Sequence, residues 1–378
     1  MKHFPFLVFV QIILLIILLE SCSKEKKDNL NIEIECSDVR IQRENHLNDI
    51  YDKNISISVQ NLDNSIINLK ENSDYFIQNT SELNLKNIQE SWFEMFSSAL
   101  RHEVYTEFYN TDYFFQANRI YNYSNIDTNY ILELLSDTIV DENFSLKDER
   151  IKLYKMSPIQ TIEYLLFKEN LESCLIKFKN QPTRYNLLNS CILFLKDDVK
   201  EIKKSWSLAK EEFKSNSEIG INGSQNIIFN NMLDYINDKI LFPLRESIEF
   251  KNLDLNSYLY YKKLTPFAKR DIDAFKIILD EWEKCFYSKE SENENISYGF
   301  DDYLISLNKA NMVDSVKYKI KYSKNNLETL TSLDHDLYYN EELVNNFLES
   351  IIEIKKYSVL DLAQNMCIFI TYSSCDCD

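Results

Sequence analysis

Three glycines in 378 residues constrain this chain more than any other feature of its sequence. A sheet protein of this size reverses direction many times, and its tight turns draw on glycine for positive backbone angles. With 3 Gly and 5 Pro, the chain is suited to long elements joined by short polar loops. Asparagine takes over some turn positions, and the long mixed apolar and charged stretches between them read as helices. Hydrophobic content of 44% and charged content of 27% fit a folded body. The formal net charge of -18, with basic residues interspersed among acidic ones, excludes nucleic acid as a partner and favours cations or basic surfaces.

Residues 1–21 read as a signal peptide. Lys2 supplies a short charged start, and Phe6 to Leu19 form an almost unbroken apolar run, too short for a membrane span. Leu19-Glu20-Ser21-Cys22 resembles the bacterial lipobox, in which a small residue precedes the cysteine whose thiol takes the lipid. The expectation is a lipoprotein held in a membrane of the cell envelope through Cys22; an uncleaved anchor helix is the alternative. Residues 22–37 are polar and charged and read as a flexible tether. Seven other cysteines remain, an odd number for an oxidising compartment. Cys174, Cys191, Cys285 and Cys367 stand among apolar residues and read as buried thiols.

Helical stripes then follow one another. Ile88, Trp92, Met95, Phe96 and Ala99 mark a helix over about 84–109, and shorter or longer patterns cover 126–140, 157–178 and 185–213. Aromatic residues crowd a loop at 113–123, and Gly220 to Gly223 break the pattern. Ser224 reads as the N-cap of a helix that Pro243 ends, Thr265-Pro266 as the opening of a helix through Phe286, and 288–297 as a charged loop. Three helices fit within 299–365, and Cys367 to Tyr372 is the one strand-like stretch. The expected architecture is all-α, in two helical-bundle halves at 38–205 and 206–378 with a short extended C-terminal segment.

Five blocks, in order, resemble the imelysin family. Glu90-Ser91-Trp92 is similar to its early A-W block. Residues 158–167, PIQTIEYLLF, resemble G-x-H-A-I-E-x-L-L-x. Ser224 to Asn230 followed by Leu241-Phe242-Pro243-Leu244 resembles S-x-x-x-x-x-N…P-L, and Gly299 to Leu304 resembles G-x-D-D-x-L. The tail from Ile368 resembles the family's G-V-T-I-T-F-x-D-N-D-G-D ending. The resemblance spans about 38–378. It implies two helical bundles related by duplication, a pocket between them near the G-x-H-x-x-E helix, and an envelope protein, in the outer membrane, linked to iron uptake. It also brings the family's peptidase label. Three departures stand out: Pro158 replaces the motif glycine, Gln160 replaces its histidine, and the tail ends Ser374-Cys375-Asp376-Cys377-Asp378.

Residues 160 and 163 share a helix face, so the family pair H-x-x-E could ligate a transition metal. Here the pair is Gln160 and Glu163, and a carboxamide is a poor ligand for such a metal. His46, His102 and His335 have no ligand-like spacing. Ser157-Pro158-Ile159-Gln160 fits a capping box with Pro at the first helical position. Glu163 borders the stripe Ile159, Ile162, Leu165 and Leu166, where a buried carboxylate needs a partner. It is either a pocket group or half of an internal polar contact. Trp92 and Ser224 are read both as ligand-binding candidates and as a core residue and a helix cap. The terminal Cys375 and Cys377 read as a disulfide or as thiols exposed at a loose end, with a metal site built from them and the neighbouring carboxylates as the lesser alternative. No Gly-rich phosphate loop or nucleophile elbow is present. The reading is a non-catalytic binder of a ligand or metal complex in iron acquisition, with Gln160, Glu163, Trp92 and Ser224 as binding candidates and no cofactor identified. The alternatives are a metal-dependent peptidase and an acidic scaffold for an envelope protein partner.

Overall fold

The computed structural model describes residues 40–106, 127–136, 140, 144, 146, 157–250, 263–287 and 298–371. The expected signal peptide, Cys22, the 22–37 tether, the 113–123 and 288–297 loops and the 372–378 tail lie outside these residues. The fold is all-α, with no strand among the described residues. The elements run α1 (Arg40–Asp49), π1 (Ile50–Ile55), α2 (Ser56–Gln78), α3 (Glu82–Glu103), α4 (Thr128–Ser136), α5 (Pro158–Phe167), α6 (Leu171–Asn180) and α7 (Pro182–Ser215). They continue with α8 (Ser224–Ile236), π2 (Asn237–Leu241), α9 (Phe242–Phe250), α10 (Asp271–Tyr287), α11 (Phe300–Ser306), α12 (Ala310–Glu328), α13 (Leu333–Tyr339), α14 (Glu341–Tyr357), π3 (Ser358–Leu362) and α15 (Ala363–Asn365).

Apolar residues at helical spacing drive the packing. In α2 the stripe is Val59, Leu62, Ile66, Leu69 and Phe76, and it faces α3 and α7. In α14 it is Val344, Phe347, Ile351 and Ile354, against α12 and α13. Helix α3 crosses to α10, and α1 reaches α8 and α11, so the early and late helices share one core.

The structure departs from the sequence reading at several points. The run 40–78 is one long helix with a widened turn at π1, although its polar stretches hide the stripe. The 157–178 pattern is two helices, because Asn170 caps α6 by accepting the Ser173 N–H at 2.9 Å. Pro243 does not end a helix. It is the second residue of α9, and the widened turn π2 before it absorbs the missing N–H. Thr265-Pro266 opens a turn, and the helix starts only at Asp271. Ser224 is the first helical residue, while Gly223 is the cap; a Cβ there would lie 2.1 Å from the Glu218 carbonyl oxygen. Cys367, expected as a free thiol, is disulfide-bonded, whereas Cys174, Cys191 and Cys285 are free and buried.

The strand-like 368–371 segment pairs with no strand. Two carboxamides one helical turn apart on α8 take the place of a neighbouring strand. Asn226 Oδ1 accepts the Phe369 N–H at 2.6 Å, and Asn230 Oδ1 accepts the Thr371 N–H at 2.8 Å. Both Nδ2 groups donate to the Phe369 carbonyl, at 3.1 and 2.9 Å. Side chains thus satisfy the Phe369 and Thr371 donors, while the Ile368 N–H goes to the Ala363 carbonyl at 2.9 Å.

Two histidines are sealed inside. Gln225 Nε2 lies 3.0 Å from His46 Nδ1, and a carboxamide nitrogen only donates, so Nδ1 accepts. The Ser58 hydroxyl donates to the Ile55 carbonyl at 2.8 Å and therefore accepts from His102 Nδ1 at 2.9 Å. Burial pulls both imidazoles from 6.5 down to about 3, so each folds neutral. The stability tied to neutral imidazole is present above pH 6.5 and is lost as pH falls toward 3, where the unfolded chain binds protons that the folded chain does not. Denaturant melts should show this as a loss on the order of 3–5 kcal/mol per histidine by pH 3. The double change His46→Gln and His102→Gln should flatten that limb; an unchanged slope would contradict the assignment.

Candidate functional site

The motif helix α5 is buried on every face, and nine of its ten residues are inaccessible. Neighbouring elements hold it in place. Trp92 Nε1 donates to the Ile159 carbonyl at 2.9 Å, and its ring stacks on Phe96. At the other end Gln89 Nε2 donates to the Leu166 carbonyl at 2.7 Å, and Arg184 Nη2 to the Leu165 carbonyl at 3.0 Å. Trp92 is therefore a core residue that seats the start of α5.

The expected capping box does not form. Ser157 makes no side-chain cap bond, although Pro158 occupies the first turn as anticipated. The Ser157 hydroxyl and both amide atoms of Gln160 are buried with no hydrogen-bond partner. Both side chains belong to a sealed interior rather than a solvent-facing helix end. Buried polar atoms in this state cost about 1–3 kcal/mol each unless water or a ligand meets them.

Glu163 faces the C-terminal half of the chain. Its Oε1 accepts the N–H groups of Phe267 and Ala268, both at 2.8 Å, while Oε2 is buried without a partner. Of the two readings left open by the sequence, the internal polar contact is formed. Burial raises the carboxyl well above its ordinary value; the two N–H groups oppose this, and the nearby Asp271 adds to it. The receiving turn, 264–270, is tightly tied. Asp271 Oδ1 accepts the Thr265 N–H at 3.1 Å, and Thr265 Oγ1 accepts the Arg270 N–H at 2.8 Å. Lys269 sits at φ 56°, a left-handed conformation uncommon for a residue with a Cβ.

Arg270, at the end of this turn, leads to an open cleft. Its guanidinium lies 3.3 Å over the Phe93 ring centroid, bonds Asp273 at 2.8 Å and reaches Glu90 at 3.3 Å. The cleft, roughly 1720 Å³, separates α2 and α3 from α10, α11 and α12. One wall is mostly neutral and polar, with Asn61, Asn64, Asn68, Ser97 and Ser98. The facing wall carries Asp273, Lys276, Asp280, Glu281, Asp301 and Asp314 among other charges. Behind it, Tyr105 Oη donates to Glu281 Oε1 at 2.8 Å and accepts from the Cys285 thiol at 3.0 Å. Burial pushes that thiol up, so it stays protonated.

Of the four sequence candidates, Trp92, Gln160 and Glu163 are brought together around α5. Ser224 is not: its hydroxyl donates to the Phe213 carbonyl at 2.8 Å and closes the 216–223 loop. Gln160 and Glu163 do not line the open cleft; the turn held by Glu163 supplies its Arg270 wall. The backbone donors of Phe267 and Ala268 carry no side-chain signature, and the sequence reading missed them for that reason. A transition metal does not fit here. The pair offers a carboxamide and a carboxyl already committed to two N–H groups, and among the described residues no three His, Cys, Asp or Glu side chains gather as a metal site.

No family model matches the chain, and no curated protein matches it in sequence. Solved structures do match its fold. An imelysin-like protein from Psychrobacter arcticum superposes with a TM-score of 0.70 at 11% identity, covering 88% of this chain and 98% of that one. A Parabacteroides distasonis protein, provisionally described as an iron-regulated protein A precursor, gives a TM-score of 0.68 at 13% identity, covering 86% and 95%. The fold is imelysin-like.

Glu163→Ala would orphan two buried N–H donors and should cost about 2–4 kcal/mol. Glu163→Gln keeps a neutral acceptor for both and should cost far less. The raised carboxyl also sets a pH trend. The folded chain holds its proton above the ordinary 4.5, so this group's contribution is full below that pH and falls as pH rises. The stability of Glu163→Gln relative to the native chain should therefore improve from pH 5 to pH 8. Equal losses for both variants, with no such trend, would refute the arrangement.

Proposed function

We propose that this chain, with its imelysin-like fold, is an envelope lipoprotein anchored through Cys22 that binds a ligand or metal complex during iron acquisition, without catalysing a reaction. The observation that carries the binding reading is the cleft of roughly 1720 Å³ between early and late helices, large enough for a drug-sized or larger ligand. Its walls offer carboxamides, hydroxyls and charges of both signs, which suit recognition of a polar ligand. The iron link draws on the likeness to the Parabacteroides protein, which is described as iron-regulated, and on the sequence resemblance. Glu163 serves this site from behind, by holding the turn that presents Arg270, and Trp92 seats the helix that carries Glu163. No helix among the described residues is long and apolar enough to cross a membrane.

The test is mass spectrometry on the native chain purified from iron-starved cells. The expected result is a stoichiometric bound species that Asn64→Trp, which fills the cleft, reduces at least about tenfold with the fold intact. Cys22→Ala should release the protein from the membrane fraction. A ligand-free native chain under iron starvation would overturn the binding reading, and a Cys22→Ala protein still processed and membrane-bound would overturn the anchor.

A further inference from the structure

At its C-terminal segment the chain shows how a helix can take the place of a neighbouring strand. Phe369 turns both its N–H and its carbonyl toward Asn226 and Asn230 on α8, and Thr371 turns its N–H the same way. Peptide groups of alternate residues facing one side are the pattern of an extended chain. The spacing explains the fit. Four residues of helix rise about 6 Å, and two residues of extended chain rise about 6.6 Å, so carboxamides one turn apart meet every second residue.

The same arrangement faces the open cleft. Asn61, Asn64 and Asn68 line it from one face of α2, at spacings of three and four residues. Asn61 and Asn64 are exposed there. Gln60 Nε2 donates to Asn64 Oδ1 at 2.9 Å, which leaves the hydrogens of Asn64 Nδ2 to the cleft. Asn68 is set in place by its bond to Glu94 at 2.9 Å and by Asn72 Nδ2, which donates to its Oδ1 at 3.0 Å. It keeps one further hydrogen and one further lone pair. Beside them Ser65 and Ser97 donate to the Leu62 and Phe93 carbonyls at 2.9 and 2.6 Å, so their oxygens remain acceptors.

We propose that the cleft takes an extended polypeptide segment of net positive charge, its backbone held by the Asn61, Asn64 and Asn68 face of α2. This deepens the reading of the cleft as a binding site and rests on it. Each carboxamide offers a donor and an acceptor, which is what each peptide group along an extended edge requires. Charge selects the sign: eight acidic side chains line the cleft against five basic ones, in a chain of net charge -18. Ile277 and Val313 on the facing helices supply apolar contacts for its side chains. A saccharide would need an open aromatic face, and the Arg270 guanidinium covers that of Phe93.

The probe is a pool of peptides about nine residues long, roughly 30 Å when extended, random in lysine, serine, threonine, valine and glutamine. A second pool carries glutamate for lysine, and a third is the first with every other backbone nitrogen methylated. Peptide retained by the mature chain is measured by mass spectrometry after gel filtration. The lysine pool should be retained, and the other two at least about tenfold less. Asn61→Leu with Asn64→Leu should bring the lysine pool down to the level of the methylated one at an unchanged melting temperature. Equal retention of the methylated and unmethylated pools, or retention indifferent to the double change, would overturn backbone recognition. So would failure to retain any pool. The cleft reading would outlive that failure if protein from iron-starved cells carried a non-peptide species displaced by Asn64→Trp, and would fall with it if no species were bound.

Discussion

The contact between Glu163 and the N–H groups of Phe267 and Ala268 joins the earlier and later halves of the sequence at one buried point. A carboxyl sealed from water is costly unless its lone pairs are met, and here the donors come from a turn about 100 residues later. The turn is shaped to offer them. Thr265 and Asp271 tie its ends together, and Lys269 accepts a left-handed backbone to complete it. Once fixed, it starts α10 and sets Arg270 against Phe93 and Glu90, which builds the cleft wall. The helix with the family-like motif therefore acts on the cleft through a backbone turn rather than through a bound metal.

The same design recurs elsewhere. Side chains meet backbone groups where elements of distant sequence come together: Asn226 and Asn230 at the C-terminal segment, Arg43 at Ser217, Trp92 at Ile159, Tyr235 at Leu100. With three glycines the chain has few tight turns, and long helices leave many ends to satisfy. Polar side chains reaching from a neighbouring helix supply the missing partners. This explains how a core rich in buried Asn, Gln, Ser and His remains compatible with a stable fold. The unpartnered amide of Gln160 is an exception to that economy. It stands where the resembling motif carries histidine, so here the motif keeps its helix and its carboxyl with a carboxamide beside them.

Helices with a clear stripe, such as α3 with Ile88, Trp92, Met95, Phe96 and Ala99, were legible because burial follows a 3.6-residue period. The run 40–78 was not, since its polar residues break the stripe and only packing against α3 and α7 selects the buried face. The strand-like 368–371 segment showed a preference for extension but not its partner. β-branched residues report a preference for extension, whereas the carboxamides that satisfy it lie on a helix more than 130 residues earlier. Likewise the sequence showed that Glu163 needs a partner, and nothing in it could point to two backbone donors, which have no residue type.

By itself, then, the sequence determined the all-α class and the place of α5, because glycine content and apolar period are properties of residues taken in order. The tertiary structure alone decided which carboxyl meets which turn, that the cleft is walled by Arg270 rather than by the motif pair, and that Ser224 closes a loop away from the motif helix. Those outcomes depend on distances between groups far apart in the chain, and burial, which sets both their energies and their protonation, exists only once the helices have packed.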